Sequence, residues 1–185
     1  MIFRPSIGLN TFVIEHYKDY DNAVKLGYVL DELTNKEAIT IIYDPHCFAE
    51  NGYHLCASIQ NGEHYIIMDS THFPCYYEMP EVLEALILHE VGHFSNGDYE
   101  RIHLKADHIK TDRGANIIRG MVQPHELDAD KYAAKNVGVP VMMRALDYLI
   151  ALRKERKDDP IKAAAIREFE LRKKALNDLS KEFSS

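Results

Sequence analysis

At 185 residues and 46% apolar, the chain is long enough to bury one sizeable core and is expected to form a single domain. A formal net charge of -7 argues against a general nucleic-acid binder, because neutralising phosphates takes a surplus of Lys and Arg. The apolar runs Tyr65–Met68 and Ala85–Leu88 are far shorter than the roughly 18 residues of a membrane span, and the first dozen residues lack the continuous apolar stretch of an export signal. Three cysteines, Cys47, Cys56 and Cys75, have no CxxC spacing and support neither a disulfide framework nor a thiolate zinc site. A soluble cytoplasmic protein, with no membrane and no nucleic-acid partner, is the expectation.

Leu26, Val29, Leu30 and Leu33 recur at helical spacing and predict a helix from about Tyr20 to Thr34. The β-branched run AITIIY, from Ala38, reads as a buried strand stopped by Asp44-Pro45. YHLCASIQ and EHYIIMD flank Asn61-Gly62, a pair suited to a type I′ turn, and predict a hairpin. Together these give a small, mainly antiparallel sheet of about three strands. Pro80 suits a first helical turn, and Val82, Leu83, Leu86, Ile87 and Val91 follow at helical spacing to about Phe94. After a looser region, with a short helix near Arg101–His108, Pro124 is expected to open a helix to about Asn136, ended by Gly138 and Pro140. Further helices are predicted from Val141 to about Lys157 and from Ile161 to Phe183. The fold class is therefore α+β, with residues 1–158 as one domain and 159–185 as an appended amphipathic helix.

Residues 89–93 read HEVGH. Four residues along an α-helix span about 6 Å on one face, so His89 and His93 can offer two imidazole nitrogens to one ion. Glu90 points to an adjacent face, where it can reach a water on that ion and act as general base. A third ligand is required. Asn96 and Tyr99 stand where the metzincin pattern needs Gly and His, so that route is closed. HELDADKYAAKNVG, residues 125–138, offers Glu126 as the third ligand, and Asp130, four residues on, is placed to accept a hydrogen bond from His89. His125, His103 and His108 are alternative ligands, although loop histidines are mostly solvated. His46, His54, His64 and His72 surround the predicted sheet, and His64 is placed to line a groove. Cys75, in the loop before the active helix, reads as a small core residue with an inhibitory thiolate as the sharper alternative.

HEVGH followed by ELDADKYAA resembles the HExxH plus ExxxD signature of the gluzincins, and is most similar to the prenyl-protein endopeptidase type. The resemblance covers roughly residues 64–150. It implies a zincin-like fold and one Zn²⁺ per chain held by His89, His93 and Glu126. It also implies Glu90 as the base, Asp130 as an orienting residue, and a peptide or protein substrate aligned on an edge strand at His64–Asp69. The stabiliser of the transition state in such enzymes is a His, Arg or Tyr downstream of the third ligand; Arg144, Tyr148 and Tyr132 are the candidates here. Membrane helices common in that family are not visible, so the chain reads as a small soluble version. The C-terminal segment 161–183 places Ile166, Phe169, Leu176, Leu179 and Phe183 on one stripe, suited to packing on the domain, to covering the cleft in self-inhibition, or to binding a partner. Zinc-dependent peptide-bond hydrolysis is the leading expectation; the alternative is a zinc-stabilised regulatory or interaction domain with little turnover.

Overall fold

The computed structural model describes residues 2–3, 12–13, 39–43, 54–60, 63–72, 75, 78–98, 112–157 and 162–182, with side chains at 54–59, 64–69, 71–72, 75, 78–98, 124–157 and 162–181. The predicted helices at Tyr20–Thr34 and Arg101–His108, and with them His46, His103 and His108, lie outside the described residues.

The architecture is α+β. Five strands, β1 (Ile2–Phe3), β2 (Phe12–Val13), β3 (Ile39–Tyr43), β4 (Leu55–Gln60) and β5 (Glu63–Met68), form one sheet in the order β1-β2-β3-β5-β4. The hairpin expected around Asn61-Gly62 is present, with Gln60 opposite Glu63 and Leu55 opposite Met68. The sheet is not mainly antiparallel, however. β3 runs parallel to β5 and to β2, because β4 takes the outer position and β5 fills the slot beside β3. This also corrects the choice of edge strand: His64–Asp69 belongs to an interior strand paired on both sides, and among the described residues the outermost strand on this side of the sheet is β4.

Pleating explains which hairpin residues are inside. Leu55 and Ala57 on β4 face the same way as their partners Met68 and Ile66 on β5, and all four are buried. Against this face packs α1 (Pro80–Ser95), started by Pro80 and apolar around most of its circumference, with Val82, Leu83, Ala85, Leu86, Ile87, Leu88 and Val91 buried. Burying each large aliphatic side chain contributes about 1.5–3 kcal/mol, which fixes this helix firmly against the sheet.

α2 (Asp112–Val137) is longer than its sequence suggested. Pro124 lies inside it rather than at its start; a proline forfeits one helical hydrogen bond, and the helix continues through that loss. The α1–α2 crossing is close because its residues are small. A Cβ on Gly92 would stand 2.9 Å from the Ala129 Cα, and Ala129 and Ala133 are both fully buried. Gly138, at φ 90°, then ends α2, its N–H donating to the Ala134 carbonyl, and α3 (Val139–Glu155) begins at once. The last helix, α4 (Lys162–Glu182), packs mainly on α3 and also on α2, burying Ala165, Arg172 and Leu176. Among the described residues no helix is long and apolar enough to cross a membrane.

Candidate metal centre

The α1–α2 crossing brings His89, His93 and Glu126 together. The two histidine Nε2 atoms are 3.2 Å apart, His89 Nε2 is 3.2 Å from Glu126 Oε2, and His93 Nε2 is 3.6 Å from Glu126 Oε1. Tetrahedral coordination with bonds of about 2.0–2.1 Å separates its ligand atoms by about 3.3 Å, so this spacing fits a zinc ion. Among the described residues these three form the one group of His, Cys, Asp and Glu close enough to hold a metal.

The rings are oriented by carboxylates behind them. Asp130, fully buried, accepts from His89 Nδ1 at 2.8 Å, which directs Nε2 toward the centre. His93 Nδ1 is held in the same way by Asp98 Oδ2 at 3.0 Å, and Asp98 Oδ1 lies 2.9 Å from His125 Nδ1. His125 is thus a neighbour of this outer layer and is not in the ligand group. Asp98 was not singled out from the sequence; the only signal was an acidic residue one turn beyond the second histidine, just past the chain reversal at Asn96 and Gly97. Replacing Asp98 by Ala is expected to weaken zinc binding about 10- to 100-fold, read by competition with a chelator, and an unchanged affinity would show that another group orients His93.

Arg172, from α4, is the second unforeseen component. Its guanidinium grips Asp130 with two hydrogen bonds, Nε to Oδ2 at 2.7 Å and Nη2 to Oδ1 at 2.6 Å, while Nη1 donates to Glu126 Oε2 at 2.9 Å. Its side chain is 6% exposed and lies over the Phe169 ring. Burial alone would raise the pKa of Asp130 and Glu126 and favour their neutral forms; the adjoining Arg172 and His89 outweigh it and hold both carboxyls below the usual range. His89 is pushed up to about 10: burial opposes the imidazolium, but hydrogen bonds to Asp130 and Glu126 prevail. Carboxylates that favour a proton on His89 also favour a metal dication in its place.

Glu90 occupies a different position. Its Oε2 accepts from the Ala57 N–H at 2.7 Å, on the outer side of β4, and burial raises its pKa, opposed by the nearby His89 and His93. The Asp69 N–H donates to the His54 carbonyl, so the even-numbered residues of β4 bond inward to β5 and the odd-numbered backbone groups at 55, 57 and 59 face the edge. Glu90 therefore stands between the ligand group and the outer side of β4.

The remaining candidates are placed elsewhere. Arg144 pairs with Glu81 at the beginning of α1, two turns before His89. The Tyr148 hydroxyl donates to the Thr71 carbonyl and meets the Cys75 thiol, in a cluster that also contains His72 and His54. Tyr132 sits at the helix crossing, its Cβ 3.1 Å from the position of a Cβ on Gly92. Cys75 is buried in the core, where burial raises its pKa, and it is not among the metal-centre residues. His64 stacks on Phe94, ring centres 4.6 Å apart.

Comparisons with known protein families, with curated proteins and with solved structures find no match.

Proposed function

We propose that this chain is a zinc metalloendopeptidase of the gluzincin type, built on a zincin-like arrangement of helix and edge strand. The observation that carries this reading is the convergence of His89, His93 and Glu126 at zinc spacing with Glu90 held against the backbone of β4. A zinc ion held by His89, His93 and Glu126, one per chain, would supply Lewis acidity to polarise a peptide carbonyl and make water more acidic. Glu90, with its raised pKa, takes a proton from the attacking water and returns it to the leaving amine. Asp130 and Asp98 keep the two imidazoles turned inward. The outward backbone groups of β4 at 55 and 59, flanking the Ala57 N–H that Glu90 takes, align an extended peptide by strand addition, which suits cleavage within a chain.

A zinc-stabilised regulatory domain is the second reading, favoured by the way α4 lays Arg172 on the Glu126 carboxylate. Elemental analysis and a protease assay separate the two. Wild type is expected to hold one zinc per chain and Glu126→Ala to lose it. Glu90→Gln is expected to keep the metal and lose about 10²- to 10⁴-fold in cleavage rate. Cleavage that survives Glu90→Gln undiminished rules out the peptidase mechanism, and a wild type that takes up no zinc rules out both readings.

A further inference from the structure

Both imidazoles of the ligand group are turned by a carboxylate, but the two carboxylates are held differently. Asp130, on α2, is itself gripped by Arg172 through hydrogen bonds of 2.7 and 2.6 Å. Asp98 has no such arginine. It lies past the end of α1, beyond the reversal at Gly97, whose φ is 65°. The helix therefore does not fix it, and the contacts of its side chain decide where it stands.

Those contacts are two histidines from two helices. Oδ2 accepts from His93 Nδ1 at 3.0 Å, and Oδ1 stands 2.9 Å from Nδ1 of His125, the residue before Glu126 on α2. Asp98 is 1% exposed, and Oδ1 has no in-line donor among the described residues. A buried carboxylate oxygen without a donor is costly, and a turn of the His125 ring about its Cβ–Cγ bond brings an N–H onto Oδ1. With His125 removed, Asp98 has to rotate toward water to satisfy that oxygen, and its bond to His93 loosens.

We propose that His125 is a positioning residue of the metal centre, acting through Asp98 on His93. α2 thereby orients both histidines of α1, His89 through Asp130 and His93 through the His125–Asp98 pair, while supplying Glu126 itself. This role rests on the metal-centre reading above but needs no turnover. Its test is the zinc affinity of the full-length protein, by competition with a chelator, in a double-mutant cycle of His125→Ala and Asp98→Ala. His125→Ala is expected to weaken binding about tenfold, the lower end of what loss of an orienting partner costs. In the Asp98→Ala background the same change is expected to cost nothing further. His125→Asn, whose amide nitrogen takes the place of Nδ1, should recover most of the loss. Proton NMR of the zinc-loaded protein gives the second readout. The His93 Nδ1–H should exchange with water faster in His125→Ala, and the His89 Nδ1–H, held by Asp130, should be unchanged.

Equal losses with and without Asp98 would overturn the assignment, because His125 would then act by another route. So would an unchanged affinity in His125→Ala, or an Asn variant no better than Ala. His125→Leu, which keeps bulk and helix propensity without a donor, takes the place of Ala should the smaller variant not fold, and the same outcomes apply. Additive losses in a protein that binds zinc leave the peptidase reading standing; a wild type that takes up no zinc removes that reading and this assignment together.

Discussion

Replacing Arg172 by Ala is expected to cost about 3–5 kcal/mol of stability, because it leaves two carboxylates, one fully buried, facing each other without their cation. For a chain of this size that corresponds to a fall in Tm on the order of 10 °C, measurable by calorimetry of the metal-free protein. Arg172→Lys should recover only part of the loss, since an ammonium cannot reproduce the planar two-bond grip on Asp130 together with the third bond to Glu126. Zinc affinity should fall with stability, because Glu126 loses the donor that steadies it. A metal-free Arg172→Ala protein as stable as wild type would mean that water satisfies these carboxylates, and α4 would then be a passive support.

The second large effect is expected from Gly92→Ala. In an exposed helix this change would gain about 1 kcal/mol from propensity. Here the new Cβ meets the Ala129 Cα at 2.9 Å and the Ala129 carbonyl at 3.1 Å, and backbone atoms do not rotate aside. Overpacking of this kind costs about 1–3 kcal/mol, so the net change is destabilising. The sharper readout is the metal. His89 and His93 ride on α1 and Glu126 on α2, so forcing the helices apart opens ligand separations that now stand at 3.2–3.6 Å. Zinc affinity should drop more than stability does. A stabilised variant with unchanged affinity would show that the helices accommodate the methyl by sliding, and that the crossing distance is not set at Gly92.

What the sequence made legible was local. The hairpin at Asn61-Gly62 and α1 follow from turn chemistry and apolar spacing within a few residues, and the ligand group follows from two helical repeats of four. Strand order was not legible, because the parallel pairing of β3 with β5 depends on which strand occupies the outer slot, and no short-range pattern encodes that. Pro124 misled for a related reason: proline favours a first turn, but the residues before it are helical as well. Arg172 was hidden among charges, although a signal existed. Residues 165, 169, 172, 176 and 179 share one helical stripe, so the arginine sits at an apolar position, where a charge must find a partner. Asp98 had only its nearness to His93 to recommend it.

The Arg172 contacts also set an order of events during biosynthesis. Asp130 and Glu126 emerge before the guanidinium that neutralises them, 42 and 46 residues earlier in the chain. Until α4 has been made and docked, the two carboxylates, one helical turn apart on α2, lack the guanidinium that bonds to both. α4 is therefore expected to complete the candidate site late: a chain clipped before it would carry His89, His93 and Glu126 but not the donor that steadies Glu126.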